Sequence, residues 1–453
     1  MRKVDQVRSP RQFRGWARSA AIITLVGTAT GCWDFTSVEA PDVTRASDLD
    51  TPEGAVVKYN GAVGAFAIAF GSFSSGVGAA PSTQIVATGV LADEFTNLSS
   101  GSDLVEFDSR QVPDPSLSGG PYSNLHAARV NALIAARALE RLAPTPASRI
   151  GELYAYVGYV HLFLAESFCS GLTLTEVTAA GPVAYGIPLT TAEMLEQAVI
   201  AFDSAAQFSG DSSRVRDLAS IGKGHALLNL GDTESAAAAV ANVPTSFQFV
   251  TSHSAQVQPN AIEAMFTAGA ISVSDHEGGI GLDFVSAMDP RVLTATVGPV
   301  VVWSGASDAG SSNILASGVE ARLIIAEAEL QAGRTTRWLE ELNALRTAGS
   351  RDGQGNWRAG TGGVAGLEPL SDPGVDSERR DLMFRERAFW LFGSGHRLGD
   401  LRRLIRQYGR SEDQVFPTGL HHSGRSFGDA VNLTPPQSAR SNPNFAGCLD
   451  RDA

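Results

Sequence analysis

The sequence predicts a mostly α-helical protein with a loop-rich, short-strand region in its middle. Three observations predict it. Between Tyr122 and Ser170 apolar residues recur three and four apart, which is the period of one helix face. Between Arg214 and Pro244 two further runs of this kind meet at Gly231-Asp232, a stop followed at once by a start. From 245 to about 316 the pattern shifts to short runs of Val, Ile, Phe and Thr set between Gly, Asp, Ser and Pro.

The elements follow in order. Residues 53–75 carry small and apolar residues at helical spacing, and "GVLADEF" (Gly89–Phe95) leads into a loop that runs to about 121. In "YSNLHAARVNALIAARALERL" the stripe is Leu125, Ala128, Ala132, Leu133, Ala136 and Leu139; "APTPAS" breaks it, and "RIGELYAYVGYVHLFLAESF" resumes it. "TAEMLEQAVIAFDSAAQF" follows, and then the pair at 214–243, with Asp232 as N-cap and Pro244 past the end. Small residues facing one another at that break suit the close packing of tetratricopeptide-like helical pairs. "FQFVTSH", "AMFTAG", "AISVSD" and "VGPVVVW" read as strands. Helix returns at Gly318–Gly333 and in "TTRWLEELNALRTAGS", a glycine-rich loop covers 349–366, and helices run from about 376 to 409 before an irregular tail, 410–453. One domain, 53–453, is therefore expected, its helical scaffold at about 53–75, 122–243 and 318–409.

A formal net charge of −13 argues against a phosphate-backbone partner, so no nucleic acid is expected. The N-terminus speaks of export: Arg2, Lys3, Arg8, Arg11, Arg14 and Arg18 precede the apolar run "AAIITLVGTAT", which is too short to span a bilayer. It ends in "ATGC", which looks like a bacterial lipobox, with residues 1–31 as signal peptide and Cys32 as the lipidated residue; an ordinary secretory signal with an incidental Cys32 is the alternative. Residues 32–52 read as an acidic, flexible tether. Cys169 and Cys448 then remain as an even pair in an oxidising compartment and are expected to form a disulfide, two buried free thiols being the alternative.

One stretch asks for chemistry. "FRERAFWLFGSGHRLGDLRRL" (Phe384–Leu404) holds five arginines, His396, Glu386 and Asp400. It reads as two helices meeting at Gly393-Ser394-Gly395, with Leu398, Leu401 and Leu404 or Ile405 as the apolar stripe of the second. Asp400 is spaced to pair with Arg403 or Arg397, whereas the adjacent Glu386 and Arg387 face different ways. His396 and Asp400 stand at i,i+4, but two ligands do not close a metal site, and a structural salt-bridge network is the better reading. "GQGNWRAG" lacks the strand and the Lys-Ser/Thr of a phosphate loop, and no GxSxG occurs. His421-His422 and "SDHEGG" (Ser274–Gly279) could hold a metal; adjacent histidines in a polar loop are usually solvated, and "SDHEGG" lacks spaced oxygen ligands. No metal, no cofactor and no catalytic group is therefore expected.

The same stretch resembles the C-terminal signature of the SusD/RagB family of outer-membrane nutrient-binding lipoproteins: Glu-Arg, an aromatic and aliphatic run, Gly, His-Arg, and Asp-Leu-Arg-Arg. "GVLADEF", "ARLIIAEAELQAG" with "LNALR", and "VNLTPPQSARSNPN" resemble the family's other segments in the same order. The resemblance implies a mostly α, SusD-like fold of tetratricopeptide-like pairs whose loops make a ligand face. It implies a binding protein, not an enzyme, anchored by lipid at the outer membrane. Its implied partners are a SusC-like TonB-dependent transporter and a glycan or other oligomeric nutrient. A flat ring can cover the apolar face of a sugar, so Phe284, Trp303 and Trp357 are the ligand-binding candidates. A helical-repeat interaction scaffold of the envelope with no small ligand is the competing expectation.

Overall fold

Helix α1 (Pro52–Phe70) starts where Thr51 Oγ1 accepts the Gly54 amide at 3.0 Å, with Pro52 at a position that needs no donor. In the computed structural model the described residues are 49–73, 82–99, 104–111, 118–176, 183–347, 350–351, 357–358 and 367–451. The expected signal peptide, Cys32 and the tether as far as residue 48 lie outside them. Asp50 pairs with Arg141 and Thr51 caps α1, so the last residues of the expected tether belong to the folded body.

α2 (Gln84–Leu91) is buried throughout, and α3 (Leu104–Asp108) is a single turn. α4 (Gly119–Leu142), α5 (Ala147–Ser167), α6 (Thr191–Gln207), α7 (Ser213–Asn229) and α8 (Thr233–Val240), each packed on the next, then form the helical scaffold that the 3–4 spacing predicts. Asp232 caps α8 as expected, accepting from the Ser235 amide at 3.1 Å, and Thr190 and Glu193 form a reciprocal capping box at the start of α6. Close packing rests on glycine. A Cβ on Gly158 would lie 2.7 Å from the Phe202 ring, and one on Gly222 would overlap the same ring. Phe202 thus fills the space between α5 and α7 that two missing side chains leave.

Strand pairing is sparse, and among the described residues each sheet has two strands. β1 (Phe95–Asn97) pairs antiparallel with β5 (Ile271–Val273), β2 (Leu172–Thr173) with β3 (Pro188–Leu189), and β4 (Gln248–Thr251) with β8 (Asn313–Ser317). β6 (Thr294–Val297) and β7 (Val300–Trp303) make a hairpin, and β9 (Ser350–Arg351) pairs with β10 (Trp357–Arg358). One expected strand is a helix. "AMFTAG" lies largely in α9 (Ala261–Thr267), because Asn260 Oδ1 accepts the Ile262 and Glu263 amides at 2.9 and 3.1 Å and starts a helical turn.

α10 (Gly318–Gln331) follows β8 directly, capped by Ser317, and α11 (Thr335–Arg346) packs on it, with Trp338 fully buried. α12 (Asp376–Trp390) and α13 (Arg397–Arg406) complete the helices. The tail is held without regular structure: the Leu433 amide donates to Ser167 O at 2.7 Å, the Ser170 amide to Asp450 O at 3.0 Å, and Cys169 is bonded to Cys448. No described helix is long and apolar enough to cross a membrane.

Candidate functional site

The 384–404 stretch is two helices joined at 391–396, and its charges face inward. Asp400 accepts from Arg387 Nε and Arg403 Nη2, both at 2.8 Å, and Arg403 also forks onto Glu327. Arg397 grips Asp93 with two bonds of 2.6 and 2.8 Å. Arg402 donates to the carbonyls of Ala165, Glu166 and Phe168, where a cation suits the negative end of α5. Burial alone would push the Asp400 carboxyl up; Arg387 and Arg403 outweigh it and hold the group well below the carboxylate range. Asp400 pairs with Arg387 and Arg403, not with His396, which faces Glu320 at 3.0 Å. The network is structural, and its joint forms one wall of a cleft.

The cleft has a volume of about 420 Å³. One wall is the end of β7 and the loop after it, Trp303 to Asn313; the other is Phe389 to Gly393, with Glu320 and His396 among the lining residues. Trp303 is half-buried, its indole edge-on to Phe392 at 5.2 Å. Gly393, at φ +68°, must be glycine twice over: its backbone is left-handed, and a Cβ would lie 2.5 Å from the indole. Gly305 leaves room on the same ring in the same way. Trp390 is also half-buried; its indole donates to Glu386 at 3.2 Å, and the Arg291 guanidinium lies 5.1 Å from its ring. Arg291 is fixed in turn by Asp289 and by Glu386 at 2.7 Å.

Glu320 continues inward as a buried chain. His225 bridges Glu320 at 3.1 Å and Glu166 at 2.7 Å. Burial opposes a charge on His225, but the two carboxylates outweigh it and raise the imidazole to about 10. Burial likewise opposes a charge on Glu320, but His396 and His225 outweigh it and hold the carboxyl down at about 2. A carboxylate kept this firmly ionised can accept hydrogen bonds but is a poor proton donor.

Behind the joint, Glu94 accepts the Gly393 amide at 2.9 Å. Burial pushes its carboxyl up to about 8, the Gly393 amide opposing and the Asp93 charge assisting. A folded-state value above the ordinary 4.5 means stability from this group is full below 4.5 and falls as pH rises through about 8. The Glu94→Gln chain is therefore expected to lose less stability than the wild type between pH 5 and about 8 in parallel chemical denaturations. Identical pH slopes for the two chains would remove Glu94 from this role.

Of the sequence candidates, Trp303 lies in the cleft wall. Phe284 does not: it has no exposed surface and packs on Phe389 and Phe392 at 5.1 and 4.9 Å, so no ligand can reach it, and it is a core residue. Trp357 is placed only by its backbone in β10; its side chain lies outside the described residues. Trp390 and the "SGASDAGSS" loop (Ser304–Ser312) were missed. An aromatic followed by a run of Ser, Gly and Asp was the available signal, since short polar side chains suit a hydroxyl-rich ligand.

No family model matches this sequence, and no curated protein matches it. Solved structures do. A SusD superfamily protein from Parabacteroides distasonis superposes with a TM-score of 0.63 at 14% identity, covering 86% of this chain and 98% of the other. A SusD-like carbohydrate-binding protein from Bacteroides fragilis gives 0.62 at 13%, covering 88% and 99%. A laminarin-binding SusD-like protein gives 0.54 at 13%, again covering 88% and 99%.

Proposed function

We propose that this chain, whose fold is that of the SusD superfamily, captures an oligosaccharide between Trp303 and Trp390 and passes it to a TonB-dependent transporter. The observation that carries the reading is the cleft itself: two half-buried indoles beside a loop of small serine side chains and Asp308. An indole offers a flat apolar face to a sugar ring, and the Ser304–Asn313 loop supplies partners for its rim of hydroxyls. The names of its structural neighbours, one laminarin-binding and one carbohydrate-binding, support the ligand class. Binding without chemistry is favoured by Glu320, whose low pKa suits an acceptor and not the raised general acid that glycoside hydrolysis needs. Lipidation at Cys32 would hold the protein at the outer membrane, where a SusC-like partner could receive the ligand.

Calorimetric titration with a panel of neutral oligosaccharides tests this. Trp303→Ala and Trp390→Ala are each expected to weaken the best ligand by about 10- to 100-fold, the value of losing one buried aromatic face. A folded wild type that binds no carbohydrate, or a Trp303→Ala chain with unchanged affinity, would remove the cleft as the ligand site.

A further inference from the structure

We propose that Asp108, His421 and His422 form a zinc site that fastens the tail to the body of the protein. The two sequence features that hinted at metal, His421-His422 and "SDHEGG", lie far apart in the chain and meet at one carboxylate. Asp108 Oδ2 is 2.8 Å from His421 Nε2 and 3.3 Å from His422 Nε2. Ligand atoms around tetrahedral zinc, each about 2.0–2.2 Å from the metal, stand roughly 3.3 Å apart, near both of these separations, and all three ligand atoms lie within 4.8 Å of one another. His421 was expected to be solvated; it is buried, at 1% exposure, while His422 keeps half its side chain in solvent and offers a way in.

The surroundings fit a cation. Asp108 is buried, and its Oδ1 receives no N–H or hydroxyl hydrogen bond. The carboxyl beside it is that of Glu277, from "SDHEGG". Water entering past the half-exposed His422 would complete the tetrahedral set. Outer partners are already present. The Asn97 amide holds Asp108 Oδ2 at 2.8 Å, and Ser423 Oγ lies 2.7 Å from His421 Nδ1. Zinc on Nε2 moves the ring proton to Nδ1, where that hydroxyl accepts it; the weaker contact from the Ser423 amide, at 3.2 Å, is given up.

The other His–carboxylate cluster among the described residues lacks this geometry. His225 and His396 stack with ring planes 12° apart and centroids 4.8 Å apart. One ion cannot lie near both planes at once.

The site joins three segments. The Gly428 and Ala430 amides donate to Ser109 and Arg110 carbonyls at 2.8 and 3.1 Å, and a Cβ on Gly278 would overlap Pro417. Zinc would cross-link α3 and the tail.

The test uses the purified mature chain, stripped with chelator and titrated with zinc chloride. One zinc per chain at micromolar or tighter affinity, with a raised melting temperature, is expected; cobalt should give the intense visible bands of a tetrahedral site. His422→Ala, a change at a half-exposed side chain, should match the metal-free wild type in melting temperature and bind zinc at least about 10- to 100-fold more weakly, the loss that even an outer partner causes. Absent or substoichiometric binding by the wild type overturns the proposal, as does equal affinity in His422→Ala. Displacement of zinc by equimolar calcium also overturns it, because an imidazole–carboxylate set prefers zinc.

Discussion

Replacing Asp400 with asparagine should lower the unfolding free energy by about 3–5 kcal/mol, the usual cost of removing one partner from a buried ion pair. Asp400, Arg387, Arg403 and Glu327 are each at most 2% exposed. Asparagine preserves the shape but removes the charge that faces two guanidinium groups, and Glu327 alone is left to balance both. Guanidinium denaturation would show the change as a lower midpoint with an unaltered slope. A pH series adds an independent check. The Asp400 carboxyl is depressed, so its contribution is present above the ordinary value of 3.8 and is lost as pH falls below it. The variant has no such contribution to lose, and its acid limb should be shallower. A stability change of under about 1 kcal/mol, the range of exposed pairs, would mean that the network is solvated in solution.

Loss of the Cys169–Cys448 bond is the second large expectation. The double variant Cys169→Ser/Cys448→Ser should be about 2–5 kcal/mol less stable, since the bond closes a span of 279 residues and restrains the unfolded chain. Its effect should be local before it is global. The tail bonds from Leu433 to Ser167 and from Asp450 to Ser170 remain, but they lie at the end of the chain, where fraying is cheapest. Limited proteolysis should therefore clip the double variant near its C-terminus under conditions that leave the wild type intact. Mass mapping that finds two free thiols in the oxidised wild type would sink the expectation.

Much of the helical scaffold could be read locally, because its signals are local. Thr190 with Glu193, Asp232 with Ser235, and the recurrence of apolar residues three and four apart along α4 each act within a few residues. The missed helix α9 shows the limit. "AMFT" suits a strand by composition, and the decision rests with the Asn260 side chain just upstream. The cleft was harder to foresee, since it joins Trp303 to Gly393 across sequence that has no pattern linking them. Trp303 and Phe284 looked alike as aromatics in a loop-rich region, yet one lines a cleft and the other is sealed behind Phe389 and Phe392. The same holds for His421: the carboxylate it meets inside the protein, Asp108, is 313 residues away in the chain.

The inward-facing arginines also carry a consequence for the order of assembly. Arg397 needs Asp93, Arg402 needs the end of α5, and Arg403 needs Glu327, so α13 finds its partners only after nearly the whole chain has emerged. Until then these cations must stay hydrated, and the segment cannot collapse into a premature core. Contacts of such long range form late and slowly.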